Sequence, residues 1–289
     1  MIYGVSSMTD PLKKVAVMKP SFSLKNADPS KWNYGPKFKP EKIDKIHSSF
    51  VSLLEDAGVE IYWMNEDDQG IADAIFTYDA SLMTKNGAIL MSPGKPLRSG
   101  EQDIHRKFYE KHNIPIIGSI QGPAFAEAGD TLWLDDKTLI IGRGFRTTQK
   151  GINQLKDIVS PLGIEVHVFD LPVYLGAQAC LHLMSLISLV DDKKALVYMP
   201  FLPVGLYKLL LKKDFTLIQA PVEEYESSNT LSANVLATSP GNCIMIDGLA
   251  DTQASLSDAG INVKVFKGEE LCVGCEGGPT CLTRPLLRQ

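Results

Sequence analysis

The chain has 289 residues, 44% of them hydrophobic and 22% charged, with a formal net charge of -5. This is the profile of a globular protein with ample material for a core, and it offers no general attraction to phosphate backbones or anionic surfaces. Nucleic acid is therefore not an expected partner, and a membrane is excluded because no apolar run is long enough to span one.

The first ten residues carry neither a basic segment nor an apolar one, so no export signal is expected. Five cysteines are an odd number for a disulfide framework, and a reducing cytoplasm is the expected compartment. Residues 15–18 read as a strand. Residues 20–32 form a loop too long for a simple connection, which reads as a lid or as an ordinary surface loop. Ile43, Ile46, Phe50, Leu53 and Ala57 then trace one helix face ending at Gly58, and residues 59–62 form a second strand.

A pattern then repeats four times. Apolar runs flank the short polar turns centred on Asn86, Asp136, Asp192 and Gly241, about fifty residues apart, and each reads as a β-hairpin. A helical pattern follows each hairpin. The first is expected to start at Ser99 as N-cap, with Gln102 completing a capping box and Ile104 and Phe108 on the buried face. The others carry Ile152, Leu155, Ile158 and Val159; residues 206–211; and Leu256 with Ala259. Short strands close the units at 114–117, 164–166, 215–218 and 263–266.

Residues 15–62 make a first copy that lacks one hairpin strand, and the segment around Cys281 is left over to supply it. The count predicts an α/β fold of five pseudo-symmetric ββαβ units, a propeller-like ring formed as one domain over residues 1–289. Two separate domains are the alternative, but no low-complexity linker marks a boundary.

In such a ring, equivalent positions converge on the axis. Asp73, Glu127, His182 and Cys281 all lie near the start of a unit and are expected to face one another. Cys281 sits in the turn Gly277-Gly278-Pro279-Thr280-Cys281, where glycines let backbone approach a ligand closely. His182 lies among apolar neighbours in Cys180-Leu181-His182-Leu183-Met184, as core histidines usually do, and only the repeat register sets it apart. Asp130 is expected to brace a turn. Cys272-Val273-Gly274-Cys275 has metal-pair spacing but no second ligand pair, so no metal or other cofactor is expected.

Several of these segments together resemble the guanidino-group-modifying superfamily with the pentein fold. They are residues 73–79, Pro93-Gly94-Lys95-Pro96-Leu97-Arg98-Ser99-Gly100-Glu101, Glu127-Ala128-Gly129-Asp130, Gly144-Phe145-Arg146-Thr147, Leu181-His182-Leu183 and the Cys281 turn. The superfamily includes dimethylarginine dimethylaminohydrolases, arginine deiminases, arginine dihydrolases and amidinotransferases. The resemblance implies a pentein-type propeller with a central site and a small guanidino amino acid as partner; a homodimer is one assembly consistent with it.

It further implies Cys281 as nucleophile, His182 as general acid and base, and Glu127 as the carboxylate that orients His182. Asp73 and Asp79 are implied as guanidinium contacts, with Asp79 as a plain strand-end residue the rival reading. Arg98 and Arg146 are implied as the clamp on an α-carboxylate. Dimethylarginine hydrolases tend to have glutamate where Tyr78 stands, so this chain departs from their pattern. The expected activity is hydrolysis of arginine or an N-methylated arginine to citrulline plus ammonia or a methylamine. The alternatives are an amidinotransferase and a ring without catalytic activity that binds ribosomal particles.

Overall fold

A computed structural model describes residues 2–64, 67–177, 179 and 181–289; Cys180 of the histidine motif lies outside them. All four predicted hairpins form, and each belongs to a three-stranded sheet built by the same local logic. A two-stranded antiparallel turn is followed by a helical crossover, and the returning strand pairs parallel with the second hairpin strand.

The chain opens with β1 (Leu12–Val17), the short helices α1 (Phe22–Lys25) and α2 (Pro29–Trp32), α3 (Ile43–Asp56) and β2 (Glu60–Trp63). The next unit is β3 (Ser81–Thr84), β4 (Gly87–Leu90), α4 (Glu101–Lys111) and β5 (Ile116–Ser119). Then come β6 (Thr131–Asp135), β7 (Thr138–Arg143), α5 (Gln149–Val159) and β8 (Glu165–Asp170). The fourth unit is β9 (Ile187–Asp191), β10 (Lys194–Val197), α6 (Val204–Lys212) and β11 (Thr216–Gln219), followed by α7 (Val222–Ser227). The fifth is β12 (Leu236–Ser239), β13 (Asn242–Ile246), α8 (Ala250–Asp258) and β14 (Asn262–Phe266).

The last strand, β15 (Arg284–Arg288), pairs antiparallel with β1, which pairs parallel with β2. The C-terminal segment thus completes the first unit. Hydrogen bonds step round the five units in order. Tyr78 N donates to Cys281 O at 3.2 Å, Gly129 N to Asp79 at 2.9 Å, and Leu183 N to Asp130 at 2.9 Å. Val235 N donates to Ser188 Oγ at 3.1 Å, and Arg288 Nη2 closes the circuit on Ala237 O at 2.8 Å. Across the same closure Phe50 of α3 packs on Phe266 of β14, ring centres 5.0 Å apart.

The tight hairpin at Asn86 requires glycine next. Gly87 has φ +141, and a Cβ there would come 2.4 Å from Pro115 O on the neighbouring strand. Helix α3 buries Ile43, Ile46, Phe50 and Leu54, so its buried face is turned slightly from the predicted stripe and Leu53 is only half-buried. No helix among the described residues is long and apolar enough to cross a membrane.

Two local expectations are corrected. Helix α4 starts at Glu101 with Gly100, φ +104, at its N-cap, so Ser99 does not cap it. The left-handed reversal at Gly100 separates Arg98 from Glu101, and the two side chains hydrogen-bond across it. The hairpin strands are also shorter than the apolar runs. Residues 72–75, 128–130, 183–185 and 231–233 form 3₁₀ turns just ahead of β3, β6, β9 and β12.

Candidate active site

Those four turns and the Cys281 turn are equivalent positions of the five units, and they carry the polar side chains inward. Asp73 lies within the first turn, Glu127 and His182 directly precede the second and third, and Asn234 directly follows the fourth. Asn234 was not among the residues expected from sequence. It lies 7 residues ahead of Gly241, closer to its turn centre than Asp73, Glu127 and His182 are to theirs, so the repeat spacing did not point to it.

Asp73, Asp79, Arg98, Arg146, His182 and Cys281 line one cavity. Glu127 stands behind this wall, fully buried, with Oε2 2.5 Å from His182 Nε2. Its other oxygen accepts from Gly94 N at 2.7 Å and from Arg146 Nη1 at 3.1 Å. Burial alone disfavours the Glu127 carboxylate, but the Arg146 guanidinium and the contact with His182 outweigh it and hold its pKa well below the usual range. Asp130 braces the His182 turn by accepting from Leu183 N, and burial raises its pKa to about 6.

Cys281 is half-buried, and its Sγ accepts from Asn234 Nδ2 at 3.3 Å. Asn234 Oδ1 in turn accepts from Thr280 N at 3.1 Å, so one amide holds both the turn and the thiol. A Cβ on Gly278 would lie 2.5 Å from that oxygen, which accounts for glycine there. Cys243, Cys272 and Cys275 are buried, and burial raises their thiol pKa values, that of Cys243 to about 12. Of these four thiols only Cys281 is placed for solution chemistry.

Arg98 borders the cavity, but its fork is committed elsewhere. Nε and Nη2 make a bidentate pair with Glu101 at 2.7 and 2.8 Å, and Nη1 donates to Asp79 at 2.6 Å. Its geometry is that of a group that holds Asp79 in place, which differs from the expected carboxylate clamp. The physical reason is burial, since an enclosed arginine needs counter-charges on every edge.

Lys95, inside the same motif but not singled out in the sequence, reaches the cavity instead. Its Nζ donates to Asp73 at 2.7 Å and to Trp32 O at 3.0 Å, and lies 5.3 Å from the Trp32 ring centre. Trp32 and Asn33 line the cavity at the end of the long N-terminal loop. The end of that loop therefore lines the site. Asp73 also accepts from Tyr34 OH at 2.7 Å. Tyr78 turns away to stack on Arg284, 4.1 Å from the ring centre.

Asp79, Glu127 and His182 present atoms within 4.8 Å of one another, close enough to share an ion. Asp79 also pairs with Arg98, and Glu127 with Arg146.

A five-unit ring with a thiol, an imidazole and buried carboxylates converging on its axis is the architecture of the guanidino-group-modifying, pentein-fold superfamily. The arginine deiminase family matches residues 70–206 and 200–288, and the chain belongs to that family. It is 25% identical to a dimethylarginine dimethylaminohydrolase of Pseudomonas aeruginosa over 238 residues, 82% of this chain and 85% of that protein. A solved structure of such an enzyme from the same organism, complexed with citrulline, superposes with a TM-score of 0.77 at 22% identity, covering 96% of this chain and all of the other. An amidinotransferase of saxitoxin biosynthesis from Microseira wollei has a TM-score of 0.76 at 17% identity, covering 100% of this chain and 98% of its own.

Proposed function

We propose that this chain hydrolyses the guanidino group of arginine, or of an N-methylated arginine, to citrulline and ammonia or a methylamine. One observation carries the reading: His182, held on the buried Glu127, shares the wall of one cavity with the half-buried Cys281 and the carboxylates of Asp73 and Asp79. Membership of a family of amidine-hydrolysing enzymes supports it.

In the proposed reaction the Cys281 thiolate attacks the guanidinium carbon, forming an S–C bond. Asp73 and Asp79 hold the planar cation, whose N–H donors match carboxylate geometry. His182 gives a proton to the departing nitrogen as the C–N bond breaks, leaving a covalent thiouronium. It then takes a proton from water, whose oxygen bonds to the same carbon. The S–C bond breaks and the thiolate returns. Arg146 and Lys95 supply the positive charge that receives the α-carboxylate, while Arg98 keeps Asp79 fixed.

Citrulline production from arginine and from its mono- and dimethylated forms tests the proposal. Turnover of at least one, abolished in Cys281→Ser, is expected. If none is turned over, or if Cys281→Ser matches wild type, the reading fails. An amidinated amine as the main product when glycine or lysine is present would move the chain to the transferases.

A further inference from the structure

Cys281 has a second face. Behind it lies another cavity, lined by Tyr78, Met184, Ser185, Asn229, Thr230 and Leu231 among others. Only Asp79, His182, Glu276 and Cys281 border both spaces, so the thiol and the imidazole form the partition.

The two sides differ in charge. The first cavity presents Lys95, Arg98 and Arg146, paired with Asp73, Asp79 and Glu127, and it shares Asp79 and Glu276 with the second. The second has no lysine or arginine among its described lining residues, and its charged groups besides His182 are the carboxylates of Asp79 and Glu276. Its rim is also conformationally unusual. Asn229, Thr230 and Glu276 have φ of +53°, +71° and +59°, and a β-branched residue such as Thr230 rarely adopts that region. Hydrogen bonds hold it there, from Thr230 N to Tyr225 O at 2.8 Å and from Ser232 N to Ser228 Oγ at 2.9 Å.

We propose that this second cavity is the port through which the small amine product leaves and the second nucleophile enters. The inference rests on the guanidino-hydrolase reading. The amino-acid tail is drawn by its carboxylate into the cation-lined space and still fills it while the thiouronium persists. The freed amine carries no tail, and as an ammonium ion it gains nothing from the paired cations on that side. On the other side it meets carboxylates with no lysine or arginine among the described lining residues. The scissile nitrogen must lie within reach of His182, which faces both spaces. Water then arrives on the side the amine has vacated.

The port makes the discharge step interceptable by small amines. Methylamine entering it bonds through nitrogen to the thiouronium carbon, gives a proton to His182 and releases the Cys281 thiolate. The products are Nω-methylarginine and free enzyme.

The experiment incubates the full-length chain with arginine and graded methylammonium chloride, following citrulline, methylarginine and covalent adduct by mass spectrometry. Methylarginine is expected to rise with methylamine at the expense of citrulline. Asn229 is exposed at the rim, so Asn229→Trp is expected to slow both discharges about tenfold while the adduct accumulates, and its φ of +53° is expected to lower the melting temperature by only a few degrees. Asn229→Lys, which alters charge more than bulk, is expected to lower the methylarginine-to-citrulline ratio. Normal adduct formation with unchanged discharge and product ratio in both variants overturns the port. Citrulline without methylarginine in wild type overturns the port alone, whereas no citrulline from arginine overturns the hydrolase reading on which it rests.

Discussion

Glu127→Gln tests whether the buried carboxylate is the keystone of this site. The substitution keeps the shape of the side chain and removes one charge. Three donors converge on the native carboxylate: His182 Nε2 at 2.5 Å, Gly94 N at 2.7 Å and Arg146 Nη1 at 3.1 Å. An amide offers one oxygen, so at least one donor meets an NH₂ group, and Arg146 loses its counter-charge in a site where its side chain is only 10% exposed. Breaking one partner of a buried pair costs about 3–5 kcal/mol, which in a chain of this size lowers the melting temperature by roughly 10 °C. Activity is expected to fall further than stability explains, because the imidazole loses the group that fixes its orientation; a drop of about 10²–10⁴ in kcat is the range for a displaced acid–base group. Calorimetry and citrulline release read the two effects separately. A melting temperature within about 2 °C of wild type, with kcat within about threefold, refutes the reasoning.

Asn234→Ala removes the Nδ2 donor to Cys281 and the acceptor for Thr280 N. A hydrogen bond to a charged group contributes about 1.5–3 kcal/mol, so the thiol pKa is expected to rise by about 1–2 units. The pH dependence of iodoacetamide alkylation reads that shift without any substrate, and an unchanged midpoint removes Asn234 from the thiolate's support. His105 is fully enclosed, and burial, then the Arg284 and Arg98 charges, lowers its pKa to about 3. Below about pH 6.5 the unfolded chain therefore binds a proton that the folded chain refuses, and stability falls with pH. Between pH 7 and 5 the wild type is expected to lose about 2 kcal/mol more than His105→Gln. Glu101 and Asp130, whose pKa values are raised to about 7 and about 6, act in the opposite sense but equally in both proteins. Equal pH slopes in denaturant titrations refute this.

Much was legible in the linear pattern. Hairpins and crossover helices are short-range structures, so their alternation of apolar and polar residues survives in sequence, and the repeat alone implied five units. The repeat register also aligned Asp73, Glu127, His182 and Cys281, although more than 200 residues separate the first from the last. The exact strand starts were not legible, because an apolar 3₁₀ turn and an apolar strand look alike until the backbone closes against its neighbour. The same limit hid Ser99's failure to cap α4, where the chain instead reverses at Gly100 and Arg98 bonds across it to Glu101.

Which way a charged side chain faces is a tertiary matter. Arg98 and Lys95 sit three residues apart in one motif, and nothing local distinguishes them. Only the packed ring turns Arg98 inward to Glu101 and Asp79 and leaves Lys95 over Trp32 beside the cavity. Asn234 became visible for the same reason, as its partner lies 47 residues away across the closure of the first and fifth units. The periodic pattern, set by neighbours along the chain, was enough for the five units and for Cys281 at their junction. The division of space around that thiol arises between units, and it required the folded ring.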